Sequence, residues 1–333
     1  MNTAESQIAP APAPPSLIKA LMGGFDAIAS HFSLTLFPVV LDLFLWFGPR
    51  LRLYQLIQSI FDQTGNLPGM NEAEMTEMMR TSRDVWLEVM QRFNLLSVLR
   101  TFPVGIPSLM SGRSPLQSPL GAAQMVEIRS APMVIGLWLL CIMIGLVAGV
   151  LYFDMVAQAA LSQKLDWRQA LLRWPWASAQ VLLLSLAWVA LLLAISIPFS
   201  CMLSFLVVTG FGVARLAILI FVCILAWLLL PLVFSPHGIF VYGNNIWISI
   251  KEGIQLTRLT FPTTSLFFLS VLILSEGLDV LWQTPPENSW FSMIGVIGHA
   301  FVTTGLLAAT FVYYADADRW SHRLIQQTTL KRV

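Results

Sequence analysis

The chain has 333 residues, of which 56% are hydrophobic and only 11% are charged, and its formal net charge at pH 7 is +1. Soluble domains carry about 25% charged residues. This composition therefore excludes an ordinary soluble domain and indicates a membrane protein with several spans. The small net charge predicts no nucleic-acid partner. We expect the lipid bilayer and other membrane protein subunits as partners.

The N-terminal part of the chain divides into three segments. The stretch APAPAPPS over 9–16 cannot build a core, so 1–15 is predicted to be a disordered cytoplasmic tail. An amphipathic segment and the first apolar run follow, and they predict an interfacial helix and span 1 over 16–48. Residues 49–131 are long and polar, with helical periodicity from Asn71 onwards. They are predicted to form an extracytoplasmic helical insertion over the outer mouth of the bundle.

Six apolar runs are long enough to cross a bilayer as helices. They cover 31–48, 132–157, 178–208, 213–235, 262–283 and 291–314. The last five form a membrane core over 132–314, which a cytoplasmic basic tail over 315–333 follows. The predicted fold class is all-α, a polytopic transmembrane helical bundle.

The distribution of basic residues predicts the orientation of the spans. Lys and Arg occur in the 158–177 and 236–261 connections and in the C-terminal tail, whereas 209–212 and 284–290 have none. The positive-inside rule then places both termini in the cytoplasm, with the protein in the cell inner membrane. Arg50 and Arg52 depart from the rule. The basic residues expected at the membrane interface are Lys164, Arg168, Arg173, Lys251 and Arg258.

Three short amphipathic segments precede alternate spans, at 16–32, 163–176 and 244–262. Helices of this kind lie in the interface plane with their basic residues at the lipid headgroups. The chain is therefore predicted to contain three units. Each unit consists of an elbow helix, a span out and a span back, and the insertion interrupts the first unit.

The third of these segments contains SIKEGIQLTRLTFP, within 246–262. This segment resembles the amphipathic segment before a span in the membrane domain of some bacterial glycerophosphodiester phosphodiesterases and of related multi-pass families. The resemblance implies an elbow-hairpin architecture. It implies no activity, because the metal-binding carboxylates and histidines of the hydrolase domain are not found in these residues.

Five ionisable residues fall inside or at the ends of the predicted spans. Their calculated depths bring them to similar levels in the outer half of the bundle. Burial in hydrocarbon is costly, so they are expected to face inward and to pair. The predicted intramembrane polar cluster consists of Asp42, Arg215, Glu276, Asp279 and His299.

This cluster has three possible roles. It can be a structural contact in which Arg215 and His299 neutralise buried acids. It can be a proton- or cation-linked site in which His299 titrates near neutral pH. The third alternative is snorkelling of the acids to the outer headgroups, for which Asp279 is best placed. We expect the structural role.

The remaining candidates favour ordinary roles. Asp154 is expected to pair at the interface near Lys164 and Arg168, and His237 needs no special role at a span end. The five methionines Met70, Met75, Met78, Met79 and Met90 are expected to form an apolar face, although thioethers also suit copper(I). No catalytic motif or Cys/His metal spacing is found in the sequence, so no catalytic residue, metal site or cofactor is predicted.

These observations favour a non-enzymatic membrane module that acts as a scaffold, assists assembly or organises lipid. A small proton- or cation-linked transporter or channel that uses the polar cluster is the alternative hypothesis. An intramembrane enzyme is a third hypothesis, which would require an activity with a pH profile tied to these groups.

Overall fold

The computed structural model describes residues 14–64, 73–208 and 214–330, and most of these residues are helical. The helices are α1 (Leu17–Ser30), α2 (Leu36–Phe47), α3 (Tyr54–Thr64), α4 (Ala73–Arg92), α5 (Leu109–Arg113), α6 (Ala131–Ser162), α7 (Trp167–Val208), α8 (Ala214–Leu229), α9 (His237–Tyr242), α10 (Ile246–Leu259), α11 (Phe261–Trp282) and α12 (Ser292–Leu330). Short 3₁₀ turns cover Phe32–Thr35, Leu95–Leu99 and Leu230–Leu232. The predicted N-terminal tail lies outside the described residues as far as residue 13.

The described strands are short and lie in the insertion. Strand β1 (Arg50–Arg52) pairs in parallel with β4 (Met125–Glu127). Strand β2 (Gln117–Ser118) pairs antiparallel with β3 (Gly121–Ala122). The insertion is therefore more than a set of helices, because β1 and β4 join its beginning to its end.

Five described helices are long and apolar enough to cross a membrane. They occupy Ala131–Ser162, Trp167–Leu206, Leu216–Tyr242, Phe261–Trp282 and Ser292–Leu324. The pair Leu17–Ser30 and Phe32–Phe47, whose two axes meet at 92°, is a broken span or a re-entrant loop, so the described residues contain five or six candidate spans. These helices confirm the predicted fold class, an all-α polytopic bundle, and the protein is membrane-embedded.

Helix α1 packs along α12 at very close range. The Cβ atom of an alanine in place of Gly24 would lie 2.4 Å from the backbone nitrogen of Ala309. Lys19 lies 4.0 Å from Asp316. Since α1 contacts the apolar part of α12, it belongs to the bundle. Its predicted placement in the plane of the membrane interface stays a prediction.

The three predicted elbows differ in the structure. The first is α1, which a sharp bend separates from α2. The third is α10, which ends at Leu259, before α11 begins at Phe261. The second is not a separate helix, because 167–176 are the first turns of α7, which continues through Pro175.

The insertion packs deep between the helices instead of lying over them. The Cβ of an alanine at position 145 would lie 2.2 Å from the carbonyl oxygen of Leu99. At Gly149 the corresponding distance to the Cα of Gly105 is 2.8 Å. The two glycines of α6 therefore let the 99–105 backbone settle against the helix. We call the end of the bundle that carries this segment the insertion end, and the opposite end the tail end.

The second half of α7 and the described part of α8 form an apolar hairpin with no buried side chain. The buried side chains of α7 end at Trp188, and no described side chain of α8 is buried. The two helices pack on each other, with the rings of Phe199 and Phe221 stacked at 3.7 Å. We call residues 189–206 and 216–229 the exposed hairpin.

Candidate functional site

Asp42, on α2, has no exposed surface and is fully satisfied by hydrogen bonds from the insertion. The hydroxyl of Ser108 donates to one carboxylate oxygen at 2.5 Å. The backbone N–H groups of Leu109 and Met110 donate at 3.2 and 2.9 Å. These two residues begin α5, so Asp42 places a carboxylate at the N-terminus of that short helix. This capping of α5 explains why a carboxylate is buried at position 42.

His299 and Asp279 form the second polar contact of the cluster. His299 Nδ1 lies 2.7 Å from Asp279 Oδ1, which joins α12 to α11. The His299 ring is 2% exposed, and the Asp279 side chain is 21% exposed. His299 is also close enough to Asp42 to interact with it electrostatically. The structure thus brings Asp279 and His299 into contact, whereas the hydrogen bonds of Asp42 are made with the insertion.

Glu276 does not join this contact. It is exposed, and it has no hydrogen bond or ion pair with any described residue. The two acids are about 60° apart around the helix axis, because three residues correspond to a rotation of 300°. The narrow face of α11 that meets α12 takes in Asp279 and leaves Glu276 outside. The predicted convergence of both acids is wrong for Glu276.

The prediction for Arg215 falls outside what the structure describes, since the side chains of 207–215 are not among those described. The side chains of Met75, Met78 and Met79 are also outside, as is all of Met70. Within the described residues no group of three or more His, Cys, Asp or Glu side chains could hold a metal ion.

Two buried ring nitrogens in α11 and α12 have no hydrogen-bond partner among the described residues. They are His299 Nε2 and Trp282 Nε1. Leaving such a group unpaired costs about 1–3 kcal/mol. The His299 imidazole is therefore hydrogen-bonded to Asp279 at Nδ1 and has no described partner at Nε2. Chemically, this arrangement can hold one proton between a carboxylate and an imidazole.

Glu287, in the connection before α12, ties the insertion to the bundle. Its carboxylate accepts from Arg92 at 3.3 Å and from the backbone N–H of Leu116 at 2.9 Å. Its carbonyl accepts from Trp46 Nε1 at 3.0 Å. Nearby, burial lowers the pKa of the Arg50 guanidinium, and the Glu287 charge acts in the opposite direction. The sequence offered no periodic signal for this network, which joins residues far apart in the chain.

The interfacial residues are found in two environments. Lys164, Arg168, Lys251 and Arg258 are exposed. Arg173 is partly buried, 3.9 Å from Asp154, and it donates to the carbonyl of Phe240 at 3.3 Å. The partners of Asp154 are thus Arg173 and Gln158, at 2.9 Å, and not the expected Lys164 and Arg168.

At the tail end a polar cavity of about 340 Å³ lies between α10 and α12. Asp318 accepts from the hydroxyl of Tyr242 at 2.7 Å, and Glu252 accepts from Asn244 at 2.5 Å. Burial raises the pKa of the Glu252 carboxyl, and the charge of Asp318 raises it further. Two acids therefore share one partly buried site.

A basic cavity of about 490 Å³ lies beside it, between the start of α1 and the end of α12. Lys19, Arg319 and Arg323 contribute positive charge, and Asp316 contributes one negative charge, 2.6 Å from Arg319. An excess of basic groups next to the end of an apolar bundle suits an anionic lipid headgroup.

Two further cavities are mainly apolar. One, of about 420 Å³, lies between α2 and α6, and the other, of about 440 Å³, lies between the exposed hairpin and α10. None of these four cavities has Asp42, Asp279 or His299 in its wall. A transport site would be expected to line a cavity, and these three residues line none of the four.

Comparison of the chain with models of protein families, with curated proteins and with solved structures finds no match.

Proposed function

We propose that the protein is a non-enzymatic membrane module that assembles with other membrane protein subunits and organises the lipid around it. The exposed hairpin carries the proposal. Its described side chains, from position 189 to Leu206 and from Leu216 to Leu229, include none that is buried. A helix pair of this composition contacts lipid or a partner, and little else of its own chain.

The packing of helices in lipid explains why a partner is favoured. Acyl chains are as apolar as leucine, so helices in membranes associate through close packing and hydrogen bonds. Helix α7 has 42 residues and is about 63 Å long, roughly twice the thickness of the hydrocarbon core. Its buried side chains end halfway, at Trp188. A partner that packs against the second half would supply the contacts that its own bundle does not.

The hydrogen bonds of two acids in the polar cluster support the same function. Asp42 caps α5, and Asp279 pairs with His299, so both acids have structural roles inside the bundle. The resemblance of 246–262 to the membrane domain of glycerophosphodiester phosphodiesterases adds an architectural parallel. It adds no activity.

Photo-cross-linking in native membranes tests the proposal. A photoreactive amino acid replaces Leu219 or Trp227 in the exposed hairpin, and Ile135, an exposed residue of α6, is the matched control. At the hairpin positions we expect cross-links to one membrane protein, the same in every preparation. At the control position we expect cross-links to lipid. Lipid adducts alone at all three positions would contradict the proposal.

The orientation is part of the same proposal, with the protein in the cell inner membrane and both termini cytoplasmic. The ion pair between Lys19 and Asp316 supports it, because this pair brings the start of α1 and the end of α12 to one end of the bundle. The test is labelling of a single cysteine introduced at Lys19 or Arg323 with an impermeant maleimide. Labelling of either position in intact cells would place that end outside the membrane and would contradict the proposed orientation.

A proton- or cation-linked transporter is the second candidate function. One observation favours it, the buried and unpartnered Nε2 of His299 beside Asp279. Its test is proton entry into proteoliposomes loaded with a pH-sensitive dye, with a potassium diffusion potential as the driving force. Proton entry that is lost in a folded His299→Ala variant would establish this function, and proton entry equal to that of empty liposomes would exclude it for protons.

A further inference from the structure

The apolar cavity of about 440 Å³ between the exposed hairpin and α10 has one charged residue among its described wall residues. That residue is Arg258, and the rest of the wall is apolar. It includes Leu191 and Trp227 of the hairpin, Ile254 of α10 and Phe261 of α11. The volume of the cavity falls in the range of about 300–1,000 Å³ that is typical of sites for small ligands. We call it the Arg258 cavity.

The wall of the Arg258 cavity combines the end of one candidate span with the interior of two others. Arg258 is in the last turn of α10, and α11, the next candidate span, begins at Phe261. Since α11 runs from there to the connection that Glu287 ties to the insertion, Arg258 is at the tail end of the bundle. Leu191 and Trp227, by contrast, lie well inside the spans of α7 and α8. The charge is therefore at the level of the lipid headgroups, and the apolar wall continues into the hydrocarbon.

The Arg258 guanidinium is available to a ligand. Its side chain is exposed, and no carboxylate among the described side chains pairs with it. An arginine near a span end keeps its apolar stem on the protein and its charge at the headgroups. The planar guanidinium also matches the geometry of a phosphate group, with which it forms paired hydrogen bonds. An apolar cavity with this one charge is complementary to an amphiphile that has an anionic phosphate headgroup.

We propose that the Arg258 cavity binds an anionic phospholipid from the leaflet at the tail end, with the phosphate on Arg258 and one acyl chain between the exposed hairpin and α10. The inference deepens the lipid-organising part of the proposed function and rests on that part. It adds a site and the class of lipid that occupies it.

A phospholipid suits this cavity better than a protein segment does. An acyl chain has no polar atoms, whereas each residue of a peptide brings a backbone N–H and C=O that need partners in hydrocarbon. The described wall offers Arg258 as its one charged donor and is otherwise apolar. A helix satisfies its own backbone, but it is about 10–12 Å wide, and a cavity of about 440 Å³ holds only about one turn of it.

Label transfer from a photoreactive lipid tests the inference on the full chain. The purified protein is reconstituted in phosphatidylcholine vesicles with a small fraction of phosphatidylglycerol that carries a diazirine on its acyl chain, and mass spectrometry locates the label. We expect several-fold more label on the cavity residues Leu191, Leu228 and Ile254 than on Leu193 and Ile220, which are exposed on the hairpin outside the cavity. Unlabelled phosphatidylglycerol in excess over the probe should remove the label from the cavity residues.

Substitution of Arg258 separates the role of the charge from that of the apolar wall. Arg258→Gln removes the charge, and the label in the cavity should fall about fivefold. Lys251→Gln is the matched control, because Lys251 is an exposed basic residue of the same helix outside the cavity, and it should keep the label. Arg258→Lys keeps the positive charge and should restore the label. Since no described residue pairs with Arg258, these variants should keep the parent melting temperature.

Three outcomes would overturn the inference. They are equal label inside and outside the cavity, equal label in Arg258→Gln and Lys251→Gln, and label that unlabelled phosphatidylglycerol does not displace. If Leu219, which is outside the cavity, cross-links to a membrane protein while the cavity takes up no excess label, only this inference is lost. If the cavity takes up the label and Leu219 contacts lipid alone, the lipid site stands and the proposed assembly with other subunits falls.

Discussion

The hydroxyl of Ser108 donates a 2.5 Å hydrogen bond to the carboxylate of Asp42, a residue 66 positions earlier in the chain. Through this bond a segment of the insertion is joined to a helix of the membrane bundle. The same carboxylate receives the first backbone N–H groups of α5, so one acid both caps a helix and fixes the insertion. Burial of an acid in a membrane is costly, and these hydrogen bonds offset that cost for Asp42.

Removal of the Asp42 carboxylate should destabilise the fold. We expect Asp42→Ala to lower the free energy of unfolding by about 2–4 kcal/mol, because it leaves a hydroxyl and two backbone N–H groups unpaired in a buried site. Thermal unfolding in detergent measures the change. Asp84→Ala, at an exposed position of α4, is the control and should leave the stability unchanged. Equal effects of the two variants would refute the capping role.

A double-mutant cycle should separate the two acids of α11. We expect Asp279→Asn and His299→Ala to show a coupling energy of about 0.5–2 kcal/mol, because their side chains are in contact. The matched cycle pairs Glu276→Gln with His299→Ala, and its coupling should be near zero. If the coupling between Glu276 and His299 were as large as that between Asp279 and His299, Glu276 would also interact with His299 and the prediction would be wrong.

The contact between α1 and α12 should tolerate no side chain at Gly24. The added methyl group of Gly24→Ala would overlap the backbone of Ala309, so the helices must separate. We expect a loss of about 1–3 kcal/mol of stability. Gly136→Ala, on an exposed face of α6 with open space around it, is the control and should be neutral or slightly stabilising. Thermal unfolding of both variants measures the difference.

The carboxyl of Glu252 should make stability fall as the pH rises. Its pKa is raised by burial and by Asp318, so the folded chain keeps this proton where the unfolded chain has lost it. Stability then decreases from about pH 4.5, the ordinary value for glutamate, up through the raised pKa. Glu252→Gln removes this contribution, so its Tm should exceed that of the parent more at pH 8 than at pH 5. Glu88→Gln, at an exposed position, should change neither value.

The basic cavity should retain anionic lipid. Replacement of both Arg319 and Arg323 by glutamine removes two charges next to the headgroups, each worth about 1 kcal/mol at a membrane surface. We expect native mass spectrometry to show less bound phosphatidylglycerol and unchanged bound phosphatidylcholine. Arg168→Gln, at an exposed position outside the cavity, is the control. Equal losses of both lipids would contradict a headgroup site.

The candidate site could be predicted from the sequence only in part. The depths of Asp279 and His299 along their helices correctly placed them at one level, because the rise of a helix is constant. Glu276 was misplaced because depth says nothing about rotation. Which face of α11 meets α12 depends on packing at residues such as Thr264 and Phe267, which are buried.

The sequence by itself determined the location and the class of this protein. An apolar run of about 20 residues has one favourable solution in a bilayer, a helix that satisfies its own backbone. Only the tertiary structure decided that Asp42 caps a helix of the insertion, that α1 lies on α12 through Gly24, and that Glu276 faces outward. Each of these depends on contacts between residues far apart in the chain, which no local pattern encodes.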